Sequence, residues 1–133
     1  MSGRARILVV EDEPDLLRIT VYRLEKAGYE VATAIDGRAA LEAVRRGDFD
    51  LILLDLNLPV IDGAEVCRTL KAADSAHRHI PVIAFTATVN KIKETYGILG
   101  ADDYVIKPFD IGELLEKIAR LMAGRGGEQS GQP

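Results

Sequence analysis

Four short apolar runs, Ile7 to Val10, Leu51 to Leu54, Pro81 to Phe85 and Tyr104 to Ile106, limit most strongly what this chain can fold into; a weaker fifth lies at Tyr29 to Thr33. They are rich in β-branched and aliphatic residues and do not alternate with polar ones. A strand with one wet face alternates, so runs of this kind belong to strands covered on both faces, as in a parallel sheet. The segments between them read as helices. Pro14 suits a first helical position and Gly28 an end, with Leu16, Leu17, Thr20, Leu24 and Ala27 on one face at a period of 3.6. Asp36 is placed to cap a helix carrying Ala40, Leu41 and Val44 and ended by Gly47, and Asp62 to cap one carrying Val66 and Leu70. Ile92, Tyr96 and Leu99 mark a fourth, looser helix before Gly100. Ile111, Leu114, Leu115, Ile118, Leu121 and Met122 form the clearest stripe. The alternation predicts an α/β fold of (βα)5 type, a doubly wound parallel five-stranded sheet with helices on both faces.

A length of 133 residues predicts one domain, and 47% hydrophobic with 29% charged residues is a globular balance. The domain is expected over residues 4–123. The Gly-rich polar stretch after Gly124 predicts a disordered tail or the start of a linker over 124–133. A net charge of −4 without a basic stripe argues against direct nucleic-acid binding. The single cysteine, Cys67, rules out an internal disulfide framework, fits a reducing cytosol and reads as a small buried apolar side chain. No run approaches the ~20 apolar residues needed to span a bilayer, and the N-terminus lacks a signal-peptide pattern. The expectation is a cytoplasmic protein with no membrane insertion.

Open parallel sheets hold ligands beyond the carboxyl ends of their strands. Glu11, Asp12 and Glu13 follow the first strand, Asp55 and Asn57 the third, Thr86 and Thr88 the fourth, Lys107 and Pro108 the fifth. Carboxylates from two strands, a hydroxyl and a lysine are thus expected on one rim. Clustered carboxylates repel, and a hard cation with oxygen ligands relieves them; few protein ligands and several waters suit Mg²⁺. An ionised carboxylate can attack phosphorus without a general base, and a metal, a lysine and a hydroxyl are suitable stabilisers of phosphoryl charge. Glu13 beside Pro14 reads as a favourable charge at a helix start. His77 and His79 lie in a polar loop without partners at ligand spacing and read as exposed loop residues.

The blocks VVEDEPDLL, LILLDLNLPVIDG, PVIAFTAT and GADDYVIKPF, in this order and each at a strand end, resemble the signature blocks of response-regulator receiver domains of two-component systems. The resemblance runs from Arg4 to Met122. It implies a flavodoxin-like sheet of order 2-1-3-4-5. It also implies that Asp55 is the phosphoacceptor and that Lys107 and Thr86 serve the transfer. Mg²⁺ (or Mn²⁺) would be bound by Asp12, Asp55 and the Asn57 backbone carbonyl, with Glu11 acting through water. Thr86 and Tyr104 would form the switch, and Lys107-Pro108 matches the family's cis peptide. Expected partners are a sensor histidine kinase or histidine phosphotransfer protein, docking on Leu16, Ile19, Pro108 and Phe109. A homodimer or downstream protein would use the face of the fourth helix, fifth strand and fifth helix. Gly97, inside the fourth helix, and a slightly short Thr86-to-Lys107 spacing bear on the shape of that face. No output domain follows Met122, which fits either a stand-alone regulator or a receiver cut from a longer chain.

Three other functions fit the sequence less well. An aspartate-nucleophile phosphatase of the haloacid-dehalogenase kind needs a second Asp where Asn57 stands. A flavin-binding flavodoxin needs a Ser/Thr/Gly-rich phosphate loop where EDEPD stands. A partner-binding pseudo-receiver usually lacks the acceptor, the acid pair or the lysine, all of which are kept here. The expectation is therefore a signalling switch that catalyses only its own phosphoryl transfer and slow autodephosphorylation.

Overall fold

A computed structural model describes residues 4–87 and 100–129. In chain order the elements are β1 (Arg6–Val10), α1 (Pro14–Lys26), β2 (Glu30–Ala34), α2 (Gly37–Arg46), β3 (Leu51–Asp55), α3 (Gly63–Lys71), β4 (Val82–Thr86), β5 (Asp103–Ile106) and a C-terminal helix (Ile111–Gln129). The strands form one parallel sheet in the order β2-β1-β3-β4-β5. The helix expected over Ile92, Tyr96 and Leu99, with Thr88 and Gly97, lies outside the described residues.

Three of the four runs, those in β1, β3 and β4, are buried on both faces. The Tyr104 to Ile106 run forms the edge strand β5, in which Tyr104 and Ile106 are exposed and Val105 is buried. All five residues of β3 and all five of β4 are buried. Alternate positions feed two separate cores, as the period of a strand requires. Leu8, Val10, Ile52, Leu54, Val82 and Ala84 meet α2 and α3 on one side. Ile7, Val9, Leu51, Leu53, Ile83, Phe85 and Val105 meet α1 and the C-terminal helix on the other, through Leu24, Leu114 and Ile118. The caps form as the sequence implies: Asp36 Oδ1 accepts from Ala39 N at 2.8 Å, and Asp62 Oδ1 accepts from Ala64 N at 3.4 Å. Gly28, just past α1, takes φ +100°, the left-handed geometry that glycine adopts without cost. Cys67 is fully buried on α3, and burial pushes its thiol up to about 11.

Two expectations shift. Ala27 is exposed rather than on the buried face of α1, because it is the residue that ends the helix; its N–H closes back on Arg23 O and Leu24 O. The C-terminal helix continues to Gln129, past the boundary expected at Gly124. Leu114 and Ile118 anchor its first turns, and a nucleated helix gains one hydrogen bond per added residue, which outlasts the packed stripe. Among the described residues, no helix is long and apolar enough to cross a membrane.

The loop from β3 to α3 carries a strained residue. Val60 has φ +68° and is two-thirds exposed. A β-branched residue in the left-handed region costs about 1–2 kcal/mol, whereas glycine pays only ~0.5–1 kcal/mol of extra chain entropy. Val60→Gly is therefore expected to raise stability by up to about 1 kcal/mol, read as a higher urea midpoint at unchanged slope. A lower midpoint would mean that the Val60 side chain contributes packing its exposure does not suggest.

Candidate functional site

The site is built on four strand ends. β1 runs into Glu11 and Asp12, β3 ends on Asp55, β4 ends on Thr86, and Lys107 follows β5. Register fixes their mutual placement: Val10 pairs with Leu54, Asp55 with Phe85, and Thr86 with Ile106. The four strand ends thus deliver five polar side chains to one rim.

Asp55 is 1% exposed. Its Oδ1 accepts from the Asn57 N–H at 2.9 Å and its Oδ2 from Lys107 Nζ at 3.1 Å. Glu11, also 1% exposed, turns Oε2 to the Glu13 N–H at 2.8 Å, and its Oε1 lies 3.1 Å from the same Lys107 Nζ. That second contact is an ion pair without hydrogen-bond alignment, and Oε1 accepts no hydrogen bond among the described residues. Asp12 is exposed, and oxygens of Glu11, Asp12 and Asp55 all lie within 4.8 Å of one another. Two of the three carboxylates, those of Glu11 and Asp55, thus share one ammonium. Burial pushes the Glu11 carboxyl above the usual carboxylate range; the charge on Asp55 adds to this, while the Glu13 N–H and Lys107 pull it back. Burial pulls the Lys107 ammonium down, but Asp55 and Glu11 outweigh it and the net shift is upward.

A buried carboxylate oxygen without a hydrogen bond, beside two further carboxylates, is the donor set a hard divalent cation takes. The residues fit Mg²⁺. His77 and His79 take no part; they lie in the 73–79 loop, where the His77 N–H donates to Ser75 Oγ at 3.0 Å.

Thr86 is fully buried at the end of β4. Its Oγ1 accepts from Asn57 Nδ2 at 2.7 Å, which ties the loop after β3 to the strand beside it. Lys107 precedes a cis peptide to Pro108, and its Nζ stands 5.3 Å over the Phe85 ring. Phe85 in turn meets Phe109 edge-to-face at 5.7 Å. Tyr104, a little over a third exposed, pairs with Ala84, so it shares the sheet face of Thr86 and its neighbour in register is small.

The expected docking residues separate into two groups. Leu16, Pro108 and Phe109 line one apolar recess with Ala87 and Lys107. Ile19 does not reach it and lines a second recess on α1 with Asp15, Arg18 and Tyr22. One helical turn separates Leu16 from Ile19 on α1. Sequence reasoning missed the Asn57 amide contact and the Phe85 ring beneath the lysine. The first has no sequence signal, and the second lies inside an apolar run that marks only a strand.

An acid cluster with one lysine at the carboxyl edge of a 2-1-3-4-5 sheet defines a class of α/β signalling switch. Residues 7–119 match the response regulator receiver domain, and the chain belongs to that family of two-component signalling proteins. It is 42% identical over 118 residues to the response regulator ArlR of Staphylococcus saprophyticus, covering 88% of this chain and 52% of that one. It is 41% identical over 127 residues to the sensory transduction protein RegX3 of Mycobacterium tuberculosis, covering 95% and 54%. The chain thus spans about half the length of the curated relatives it matches. Among solved structures it is similar to the chemotaxis response regulator CheY4 of Vibrio cholerae (TM-score 0.81, 31% identity, 90% of this chain and 99% of that one). It is equally similar to the receiver domain of the sensor histidine kinase PA1611 of Pseudomonas aeruginosa, whose structure has a magnesium ion coordinated in the active-site cleft (TM-score 0.81, 33% identity, 91% and 99%).

Proposed function

We propose that Asp55 accepts a phosphoryl group, with Mg²⁺ (or Mn²⁺), from a sensor histidine kinase or a histidine phosphotransfer protein, and that this modification switches the surface around β5. The observation that carries the reading is the Asp55 carboxylate itself: buried at a strand end, held by Lys107 Nζ at 3.1 Å and the Asn57 N–H at 2.9 Å, and beside two further carboxylates.

A carboxylate oxygen of Asp55 attacks phosphorus, forming the O–P bond as the donor's P–N bond breaks; the bonding pair stays on that nitrogen, and the imidazole, already protonated on its other nitrogen, departs as the neutral ring. No base is required, because the nucleophile is already ionised at neutral pH. Asp12, Asp55 and the Asn57 backbone carbonyl would hold the metal, with Glu11 acting through water. When bound, the metal neutralises phosphoryl-oxygen charge. Lys107, already between Asp55 and Glu11, supplies a second positive charge to the transferred group. Thr86 donates its hydroxyl to a phosphoryl oxygen. Its movement leaves space on the face it shares with Tyr104 and Ala84, into which the tyrosine ring turns. The cytoplasm is the compartment for such a partner. A homodimer or a downstream protein is served by the β5 face, and the protein acts as a switch that performs only its own phosphorylation and slow dephosphorylation.

Intact-protein mass after incubation with Mg²⁺ and acetyl phosphate tests the reading. One phosphoryl adduct is expected on the wild type, none on Asp55→Asn, and none after chelation of Mg²⁺. A wild type that takes no adduct from acetyl phosphate or from a histidine donor, and binds no Mg²⁺, overturns it.

Docking of the donor is the separate part. Ile19 is half exposed on α1, and Leu16 and Phe109 border the site. Ile19→Asp is expected to slow transfer from the cognate histidine donor by about tenfold, the effect of ~1.4 kcal/mol, and to leave the acetyl phosphate reaction unchanged. Equal rates from the histidine donor would remove Ile19 from the docking surface.

A further inference from the structure

Phe85 has no part in the functional reading, yet its ring lies under the lysine that does. Its place follows from the period of a strand. Asp55 pairs with Phe85 across β3 and β4, and Phe85 pairs with Val105 across β4 and β5, so these side chains share one face of the sheet. Lys107 follows Val105 by two residues, and its N–H continues the ladder to Thr86 O at 3.0 Å, which keeps it on that face. Register thus brings the acceptor carboxylate, the lysine and an aromatic ring together.

The Lys107 ammonium meets two kinds of partner. Asp55 Oδ2 and Glu11 Oε1 each lie 3.1 Å from Nζ, and Nζ stands over the Phe85 ring, 5.3 Å from its centroid. The ring is 3% exposed and is braced by Phe109, which meets it edge-to-face. Lysine is a strongly hydrated point charge on a flexible four-carbon stem. With 23% of the side chain exposed, water competes for the ammonium. A ring face attracts a cation within about 6 Å, and the attraction grows as water is excluded. An aliphatic side chain at residue 85 would fill the core without that pull. We propose that Phe85 is a positioning residue: the face of its ring holds the Lys107 ammonium beside Asp55, where the phosphoryl group arrives. The proposal rests on the phosphoacceptor reading of Asp55. Charge that develops during transfer is stabilised best by groups already in place, so a lysine held at the acceptor need not be recruited from solvent.

Graded fluorination of the ring tests this, because fluorine draws charge from the ring face while nearly preserving its shape. Wild type and proteins carrying mono-, di- and trifluorinated phenylalanine in place of Phe85 are timed for phosphoryl gain from acetyl phosphate at saturating Mg²⁺, by intact mass. The rate is expected to fall with each added fluorine, by about fivefold in all, the size of a partly desolvated cation–π contact. Phe85→Leu is expected to slow the wild type by about the same factor and to be silent in a Lys107→Met background. In proton NMR the Lys107 ε-methylene should carry an upfield ring-current shift that Phe85→Leu removes. A rate that is flat across the fluorinated series, or equal slowing by Phe85→Leu with and without the lysine, overturns the proposal and leaves the Asp55 reading intact. A wild type that gains no phosphoryl group overturns both.

Discussion

Gly63→Ala should destabilise the fold by about 3 kcal/mol or more, although it adds a single methyl group. A Cβ on Gly63 would lie 2.1 Å from the Asp55 carbonyl oxygen and 2.5 Å from Leu56 Cα. Both obstacles are backbone, and neither can give way, because β3 is hydrogen-bonded to β1 on one side and β4 on the other. The start of α3 must therefore retreat, and it takes Val66, Cys67 and Leu70 out of a core in which all three are buried. Overpacking alone costs ~1–3 kcal/mol, and the lost burial adds to it. Gly112→Ala is the control: the nearest atom to its Cβ would be the Asp110 carboxylate oxygen at 3.4 Å, at a solvent-side turn. It should stay within about 0.5 kcal/mol of wild type. Urea unfolding of both variants distinguishes them, and a Gly63→Ala midpoint equal to the wild type's would contradict the close approach of α3 to β3.

Removing the lysine has the second large effect, with two signatures. Lys107→Met leaves Glu11 and Asp55, each 1% exposed, without their shared counter-charge. Stripping one partner from a buried ion pair costs ~3–5 kcal/mol, but the Lys107 side chain is 23% exposed and solvent screens part of it. A loss of about 1–3 kcal/mol in metal-free buffer is therefore expected. Mg²⁺ should restore much of it, since a cation that binds only the folded state stabilises by mass action and now also replaces the missing charge. The midpoint rise on adding Mg²⁺ is accordingly larger for the variant than for the wild type. The rate of phosphoryl gain does not recover in parallel: losing a charge aimed at the transferred group costs on the order of 10²–10³ in rate. A variant phosphorylated at the wild-type rate would contradict the role given to Lys107.

The sheet was legible because burial on both faces leaves a direct mark on composition. β1 and β3 are covered on both sides, so their runs carry no polar interruption, and the structure extends each by one residue, to Arg6 and to Asp55. β4 begins at Val82 rather than Pro81: proline has no N–H for the ladder, although its carbonyl still accepts from Ile52 N at 3.0 Å. Caps at Asp36 and Asp62 were legible because a short acceptor side chain before an apolar-periodic run has few other uses. The rim followed from strand ends alone: Glu11, Asp55 and Lys107 converge because parallel strands finish at one edge.

What the sequence did not disclose depends on side-chain direction across distant segments. The Asn57 amide reaches Thr86 only because β3 and β4 are in a particular register. Similarly, Lys71 bridges to Asp102 at 2.9 Å while donating to Ile80 O at 2.7 Å, clasping the end of α3 to the start of β4, and no local pattern announces it. The family resemblance puts Leu16 and Ile19 on one docking surface, whereas the two residues line different recesses. The left-handed backbone at Val60 was equally invisible, since a valine there runs against the preference of its own side chain.

Locating the acyl phosphate on the chain tests the central claim most directly. An aspartyl phosphate is reduced by borohydride to the corresponding alcohol, a permanent mass change that peptide mapping assigns to one residue. After Mg²⁺ and acetyl phosphate, the reduced residue is expected at Asp55 alone, with Glu11 and Asp12 recovered unchanged. Reduction at Asp12 or Glu11, or its absence in a protein that has gained phosphoryl mass, would contradict Asp55 as the phosphoacceptor.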